Sequence, residues 1–128
     1  MRVMILGSKG MAGHMISKYL KSKKYEVTTV ARKGADKTLN IKNSSSVDKF
    51  LNKLEEDYDF VINCIGMLVK PCIDDPVSAI LVNSLLPKQL EKHFKSTKTR
   101  VIHLSTDCIF DGSIGNYSED SIPTETNA

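Results

Sequence analysis

Short apolar runs alternate along this chain with longer segments of mixed polarity. Continuous apolar runs bounded by glycine or polar residues are typical of strands that are covered on both faces, as in parallel sheets. One further run alternates in polarity and is rich in β-branched residues, which also favours a strand. The predicted strands are Val3–Leu6, Tyr25–Ala31, Asp59–Gly66 and Arg100–Ser105, with a weaker one at Thr38–Ile41.

The segments between these runs have helical periodicity. Met11, Met15 and Tyr19 recur at helical spacing, which predicts a helix over Met11–Ser22. Ser45 and Asp48 are spaced as in a capping box, so a second helix is expected to begin near them. A third apolar periodicity runs from Pro76 to Phe94, where Pro87 must kink the helix or start a new turn.

Strands that alternate with helices imply parallel pairing and right-handed crossovers. We therefore expect an α/β fold, a Rossmann-like doubly wound parallel sheet with helices on both faces. A length of 128 residues is sufficient for one such domain.

Composition narrows the function classes. The net charge is +3 and the lysines are scattered among acids, which indicates solvated helix faces and argues against a nucleic-acid partner. The three cysteines form no C-x-x-C pair, so neither a disulfide framework nor a metal site is expected. No apolar run approaches the roughly 20 residues that cross a bilayer, so we predict a cytoplasmic protein without a membrane partner.

A glycine-rich segment follows the first predicted strand. Gly7, Gly10 and Gly13 form G-x-x-G-x-x-G at the start of the first helix, where glycines permit a tight turn and close approach to a pyrophosphate. The alternative is a flexible turn, but this position favours dinucleotide binding. The candidate cofactor-binding residues here are Gly7, Ser8, Lys9, Gly10, Met11 and Gly13.

The end of the second strand bears on the choice of cofactor. NAD sites usually carry an acid there for the ribose hydroxyls, whereas a cation accommodates the 2′-phosphate of NADP. This chain has Arg32 and Lys33. NADP(H) is therefore predicted, with Arg32 gripping the phosphate; NAD(H) stays possible if the two are ordinary surface cations.

Four stretches resemble one family. They are "MILGSKGMAGHMI", "VINCIG", "VNSLLP" and, most specifically, "LSTDCIFDGSIGNY". Together they resemble the extended short-chain dehydrogenase/reductase superfamily, and within it the N-terminal part of the dTDP-4-dehydrorhamnose reductase-like group of nucleotide-sugar enzymes.

The resemblance implies roles on the cofactor side. Cys64, Ile65 and Gly66 would lie against the adenosine part of the cofactor, or else form a plain strand end. Asn40 and Ile41 would lie near the adenine. Asn83 would be a buried polar residue that bridges helix and sheet near the active site, or a satisfied core amide.

The resemblance also implies a substrate side. Thr106 would be catalytic, forming a hydrogen bond with the substrate carbonyl and the catalytic tyrosine. Asp107 would shape the sugar pocket, or serve a turn. Cys108 replaces a tyrosine that many relatives carry, and it would be a small apolar residue that fills space beside the substrate. His103 is expected to be a packed core residue.

Reductases of this superfamily use a Tyr-x-x-x-Lys pair. Here only Tyr19 has a lysine four residues later, Lys23, and that pair falls in the first predicted helix. We therefore expect residues 1–128 to be the NAD(P)-binding Rossmann domain of a longer protein, inactive alone and truncated before the catalytic Tyr-x-x-x-Lys and the substrate-binding region.

The resemblance implies a function for the whole protein. It would reduce a 4-keto deoxyhexose nucleotide with NADPH for surface polysaccharide synthesis, with a nucleotide sugar as partner and a homodimer possible. The alternatives are an epimerase or dehydratase of the superfamily, or a non-catalytic NADP-binding regulatory subunit.

Overall fold

A computed structural model describes residues 1–41 and 43–125. Its centre is a sheet of five parallel strands in the order β3-β2-β1-β4-β5. The strands are β1 (Arg2–Leu6), β2 (Glu26–Ala31), β3 (Lys37–Thr38), β4 (Phe60–Asn63) and β5 (Arg100–His103). The strand order reverses between β1 and β4, so the crevice where such sheets bind ligands opens at the carboxyl ends of these two strands.

The helices connect the strands as the periodicity predicts, with one addition. The observed helices are α1 (Met11–Ser22), α2 (Ser44–Leu51), α3 (Val69–Asp74), α4 (Pro76–Ala79), a π-helical turn (Ile80–Leu85) and α5 (Leu86–Phe94). Pro87 lies in the first turn of α5, as expected for a residue that starts a new segment. The short α3 was not predicted, because Pro71 interrupts its sequence.

The cap of α2 differs from the prediction. Asn43, and not Ser45, is the N-cap: its side chain accepts from the backbone N–H of Ser46, whose hydroxyl completes the capping box. Asn is as good an N-cap as Ser, and the helix begins two residues earlier than an N-cap at Ser45 would require. The predicted box is therefore wrong in its residues.

The hydrophobic core lies mainly on one face of the sheet. Met4 and Leu6 point from β1 toward α2 and α5, where Val47 and Leu90 are fully buried. Because side chains alternate along a strand, the buried residue Ile5 faces the opposite side, which α1 covers. The Rossmann-like fold with helices on both faces is thus confirmed.

Strand β5 is less buried than predicted. Ile102 is 42% exposed, and Leu104 just beyond the strand is 40% exposed. β5 pairs only with β4 in the described sheet, and Val101 packs against the core on one face while Ile102 points away from it. Within residues 1–41 and 43–125, no helix has both the length and the apolarity to cross a membrane.

Candidate functional site

The glycine loop is fixed against the neighbouring strands. Gly7 and Ser8 both donate backbone N–H groups to the carbonyl of Val30 at the end of β2, at 3.0 and 3.1 Å. The Ser8 hydroxyl donates to the same carbonyl, so this buried side chain anchors the loop and does not face the crevice. The loop is therefore held by β2 before any ligand binds.

At two positions of this loop, the neighbouring backbone leaves no room for a side chain larger than that of glycine. Gly7 has φ +78°, and a Cβ there would lie 3.0 Å from the backbone carbonyl of Cys64. A Cβ on Gly13 would overlap the carbonyl oxygen of Gly7. These contacts bring the start of α1 directly onto the ends of β1 and β4.

The N-terminus of α1 is available to an anion. Gly10 is the N-cap and supplies no side chain to cap the helix. The N–H groups of the first turn have no intrahelical acceptor, and their dipoles favour a negative charge. Met11 is 92% exposed at this point, so its side chain does not cover the loop. A pyrophosphate fits this arrangement.

The end of β2 presents cations and not a carboxylate. Arg32 and Lys33 are both exposed directly after the strand. Asp36 is the acid nearest to them in the sequence, but its carboxylate accepts from the hydroxyl and the backbone N–H of Thr29, at 2.7 and 2.8 Å. The hydrogen bond from the Thr29 hydroxyl lowers the pKa of Asp36 most, and the bond from the Thr29 backbone N–H lowers it further. The acid is thus directed back along β2 and away from the strand end.

Lys9 of the glycine loop reaches toward the same region. Its Cε lies 3.9 Å from the position a Cβ on Gly34 would take. Lys9, Lys18 and Lys21 line an open cleft of ≈550 Å³ between α1 and the segment after β2. Lys9 therefore lies close to the segment that follows Arg32 and Lys33, and the cleft beside it is lined by three lysines and by Asp36.

The end of β4 forms the other wall of the crevice. Cys64 and Ile65 are half-buried, and burial raises the pKa of the Cys64 thiol. The fully buried Asn63 accepts from the backbone N–H of Ile65 at 3.1 Å, which turns the chain toward Gly66. Sequence reasoning missed Asn63; its position as the polar end of an apolar run was the available signal.

Asn83 does not have the predicted burial. It is exposed, on the π-helical turn, and binds the segment after β4 instead of the sheet. Its Oδ1 accepts from the N–H of Met67 at 2.8 Å, while its Nδ2 donates to the carbonyl of Met67 and to the Sγ of Cys72. The side chain is thus satisfied by backbone groups at the surface, where it holds the Gly66–Leu68 segment in place.

Asn40 and Ile41 lie apart from the glycine loop. Asn40 is exposed and lines a second cleft of ≈410 Å³ between β3 and α2, together with Lys49 and Phe50. Ile41 packs against the core cluster. No glycine-loop residue lines this second cleft. A role for Asn40 at an adenine stays a prediction.

The segment after β5 presents polar side chains at the same sheet edge. The Thr106 hydroxyl oxygen accepts from the N–H of Cys108 at 3.1 Å, which leaves the hydroxyl proton free to donate to a substrate. Asp107 is exposed beside it. Cys108 is also exposed and not an apolar filler, because this turn lies over no part of the described core.

His103 was also placed wrongly by the sequence. It is exposed and not a packed core residue, since it lies on the edge strand β5. Its Nδ1 lies 3.0 Å from the Nδ2 of Asn63, so the imidazole satisfies the buried amide. This pair joins the ends of β4 and β5 at the crevice.

Residues 110–124, here called the Asp111 loop, follow the Thr106–Cys108 turn, and the end of the loop contacts Ile109, directly after that turn. The Asp111 carboxylate accepts at one oxygen from Ser113, Tyr117 and Thr124. The backbone and hydroxyl bonds from Ser113, followed by those from the other hydroxyls, hold the pKa of Asp111 well below its usual range. Sequence reasoning did not single out Asp111, although it lies within the quoted family stretch.

Comparison with known proteins gives a consistent result. A sequence model of the family described as "RmlD substrate binding domain" matches residues 1–128. The chain is 28% identical over 126 residues to a dTDP-4-dehydrorhamnose reductase of Mycolicibacterium smegmatis, covering 98% of this chain and 36% of the relative. It is 25% identical over 130 residues to the methionine adenosyltransferase 2 subunit beta of Xenopus tropicalis, covering 98% and 38%.

A solved structure agrees with these matches. The crystal structure of a dTDP-4-dehydrorhamnose reductase from Clostridium acetobutylicum is 30% identical, with a TM-score of 0.81, over 99% of this chain and 44% of that chain. The chain thus spans about two fifths of the length of the relatives it matches. It belongs to the RmlD substrate binding domain family, within the extended short-chain dehydrogenase/reductase-like superfamily.

Proposed function

We propose that this chain is the NADP(H)-binding part of a nucleotide-sugar reductase. The observation that carries the proposal is the glycine loop, which anchors to β2, contacts β4 and exposes the uncapped N-terminus of α1 at the strand-order reversal. The cofactor would supply hydride. The chain's own residues would hold its pyrophosphate at Gly10 and Met11 and limit its approach at Gly66.

The preference for NADP(H) over NAD(H) rests on charge. Arg32 and Lys33 follow β2, Lys9 crosses toward the same segment, and Asp36 is bound to Thr29. A guanidinium forms paired hydrogen bonds with a phosphate, whereas a ribose hydroxyl needs an acceptor that this strand end lacks. Arg32 would therefore bind the 2′-phosphate through paired hydrogen bonds.

Titration with NADPH and NADH tests this assignment. We expect Arg32→Ala to weaken NADPH binding by about 10- to 100-fold, the loss of a charge-assisted hydrogen bond, with little change for NADH. Arg100→Ala is the matched control, because Arg100 is an exposed arginine at the amino end of β5, the opposite edge of the sheet. If Arg32→Ala bound NADPH as tightly as Arg100→Ala, the assignment would be wrong.

The substrate side of the proposal rests on Thr106 and Asp107. Thr106 has a hydroxyl proton free to donate to a substrate carbonyl, and Asp107 is exposed beside it for a sugar hydroxyl. The substrate class, a 4-keto deoxyhexose nucleotide, follows the reductases that the chain resembles. An epimerase or dehydratase of the same superfamily would use the same crevice.

We expect the 128-residue chain to bind NADPH without turning it over. Its single Tyr-x-x-x-Lys pair consists of Tyr19 on α1 and Lys23 at the C-cap of that helix, where the Lys23 ammonium lies 5.4 Å from the centre of the Tyr19 ring. Incubation with NADPH and a 4-keto nucleotide sugar should give no protein-dependent loss of NADPH absorbance. Measurable turnover would contradict this expectation.

A non-catalytic regulatory subunit is the second candidate. The observation behind it is the similarity to a protein named as a subunit of another enzyme, the methionine adenosyltransferase 2 subunit beta, which extends over 98% of this chain. Sequencing the gene downstream of Ala128 separates the two candidates. A tyrosine followed by a lysine four residues later supports the reductase, and an uninterrupted reading frame without that pair supports the regulatory subunit.

A further inference from the structure

The two ends of the Asp111 loop meet at the carbonyl of Ile109. The backbone N–H groups of Thr124 and Glu125 both donate to the carbonyl of Ile109, at 3.1 and 3.0 Å. A surface loop whose ends meet and whose own side chains pack it is an Ω-loop, a type that is often functional. Its closure point is one residue beyond Cys108.

One carboxylate oxygen of Asp111 accepts several hydrogen bonds from within the loop. The Oδ1 of Asp111 accepts from the Ser113 N–H and hydroxyl at 3.0 and 2.8 Å, from the Tyr117 hydroxyl at 2.8 Å and from the Thr124 hydroxyl at 2.9 Å. The N–H of Asp111 donates in turn to the Thr124 hydroxyl at 3.1 Å. Asp111 therefore joins the beginning, middle and end of the loop.

An aromatic stack continues from this carboxylate toward the site. The rings of Tyr117 and Phe110 lie parallel, with centroids 4.3 Å apart and an angle of 8°. The N–H of Phe110 donates to the carbonyl of Asp107 at 3.0 Å. A side chain fixed by Asp111 thus packs on a residue that is hydrogen-bonded to the proposed substrate turn.

The Thr106–Cys108 turn has few other supports. Its residues are exposed, and its internal bonds run from Cys108 to the side chains of Thr106 and Asp107. No side chain of α1 to α5 in the described residues forms a hydrogen bond with it. The position of the Thr106 hydroxyl is therefore set by β5 on one side and by the Ile109 junction on the other.

We propose that Asp111 is a positioning residue, which holds the loop closed on Ile109 and thereby fixes the turn that presents Thr106 to the nucleotide-sugar substrate. The proposal deepens the proposed function and rests on it for the identity of the ligand. Asp111 acts through Tyr117 and Ile109 and does not touch the reacting atoms.

Three variants test the proposal in the 128-residue chain. Asp111→Ala removes the acceptor, Asp111→Asn keeps one acceptor oxygen but removes the charge, and Asp120→Asn removes a charge from the same loop at an exposed position. The first readout is the amide NMR signal of Cys108. We expect it to shift in Asp111→Ala, to shift less in Asp111→Asn and to stay unchanged in Asp120→Asn.

The second readout is ligand affinity, with dTDP-rhamnose and NADPH as the probes. Asp111→Ala should weaken dTDP-rhamnose binding by about ten-fold while the Kd for NADPH changes less than about two-fold, and Asp111→Asn should restore part of the affinity. A general loss of structure would weaken both ligands equally, and that result would overturn the proposal, as would sugar-nucleotide affinity equal to that of Asp120→Asn.

Failure of the proposed function gives a different result. If the parent chain does not bind dTDP-rhamnose, Thr106 and Asp107 are not sufficient for substrate binding by residues 1–128, and the Cys108 signal decides the role of Asp111. A shift in Asp111→Ala supports positioning of the turn. An unchanged Cys108 signal, with the Tyr117 ring signals altered, overturns it, since the loop would then open without moving the turn.

Discussion

The two walls of the proposed site are built differently. The glycine loop is held by backbone hydrogen bonds to β2 and by direct contact of Gly7 and Gly13 with neighbouring backbone. The Thr106–Cys108 turn and the Asp111 loop are exposed, and the loop is closed by backbone hydrogen bonds to Ile109 and by side-chain hydrogen bonds that converge on the Asp111 carboxylate. The proposed cofactor side is thus fixed by backbone packing, whereas the proposed substrate side depends on polar contacts, several of which one substitution at Asp111 removes.

Gly13→Ala should have the largest effect on the packed wall. The added Cβ would overlap the Gly7 carbonyl, so either α1 or the glycine loop must move, at a cost of about 1–3 kcal/mol in the free energy of unfolding. Urea denaturation measures the loss. Gly66→Ala is the matched control, since its Cβ would meet only the Asn83 Oδ1 at 3.7 Å, an ordinary contact. Equal stability of the two variants would contradict the packing argument.

Asn83→Ala should have an intermediate effect. It removes the hydrogen bonds to Met67 and Cys72, worth about 1 kcal/mol at this exposed position, and it releases the segment that includes Gly66. We expect a small loss in urea denaturation together with weaker NADPH binding. Ser84→Ala, an exposed neighbour on the same π-helical turn, is the control. NADPH affinity unchanged from that control would show that the segment does not contact the cofactor.

Acid should open the Asp111 loop without a comparable effect on the glycine loop. The pKa of Asp111 is lowered in the folded protein, so its stabilising contribution is complete above the unfolded value of about 3.9 and is lost as pH falls through the lower folded value. The Tyr117 ring signals in NMR should therefore stay constant from pH 7 to about 4 and change only below it. Asp111→Asn lacks this titration, and the same acid transition in that variant would assign the change to another group.

Much of the glycine-loop wall could be predicted from the sequence because its determinants are local. Gly7, Gly10 and Gly13 are closely spaced after a strand, and the strand positions follow from apolar runs that the sheet buries. The predictions for β5, His103 and Cys108 were wrong for a common reason. Apolar character indicates a strand, but whether it is covered depends on which elements pack beside it.

Residues with long-range partners were the ones that sequence reasoning misplaced or missed. Asn83 was expected in the core, but it binds Met67, 16 residues away. Asp36 could have been the acid of an NAD site, and only the fold shows that Thr29 holds its carboxylate. A polar side chain has several possible partners along the chain, and the choice among them depends on the path of the backbone.

The sequence by itself determined the alternation of strands and helices, the glycine loop and the family, since periodicity and short motifs are properties of neighbouring residues. The tertiary structure decided which wall is packed and which is held by hydrogen bonds. In the folded chain Thr124 contacts Ile109, and several hydroxyl groups donate to Asp111. These contacts depend on loop closure and not on local preference.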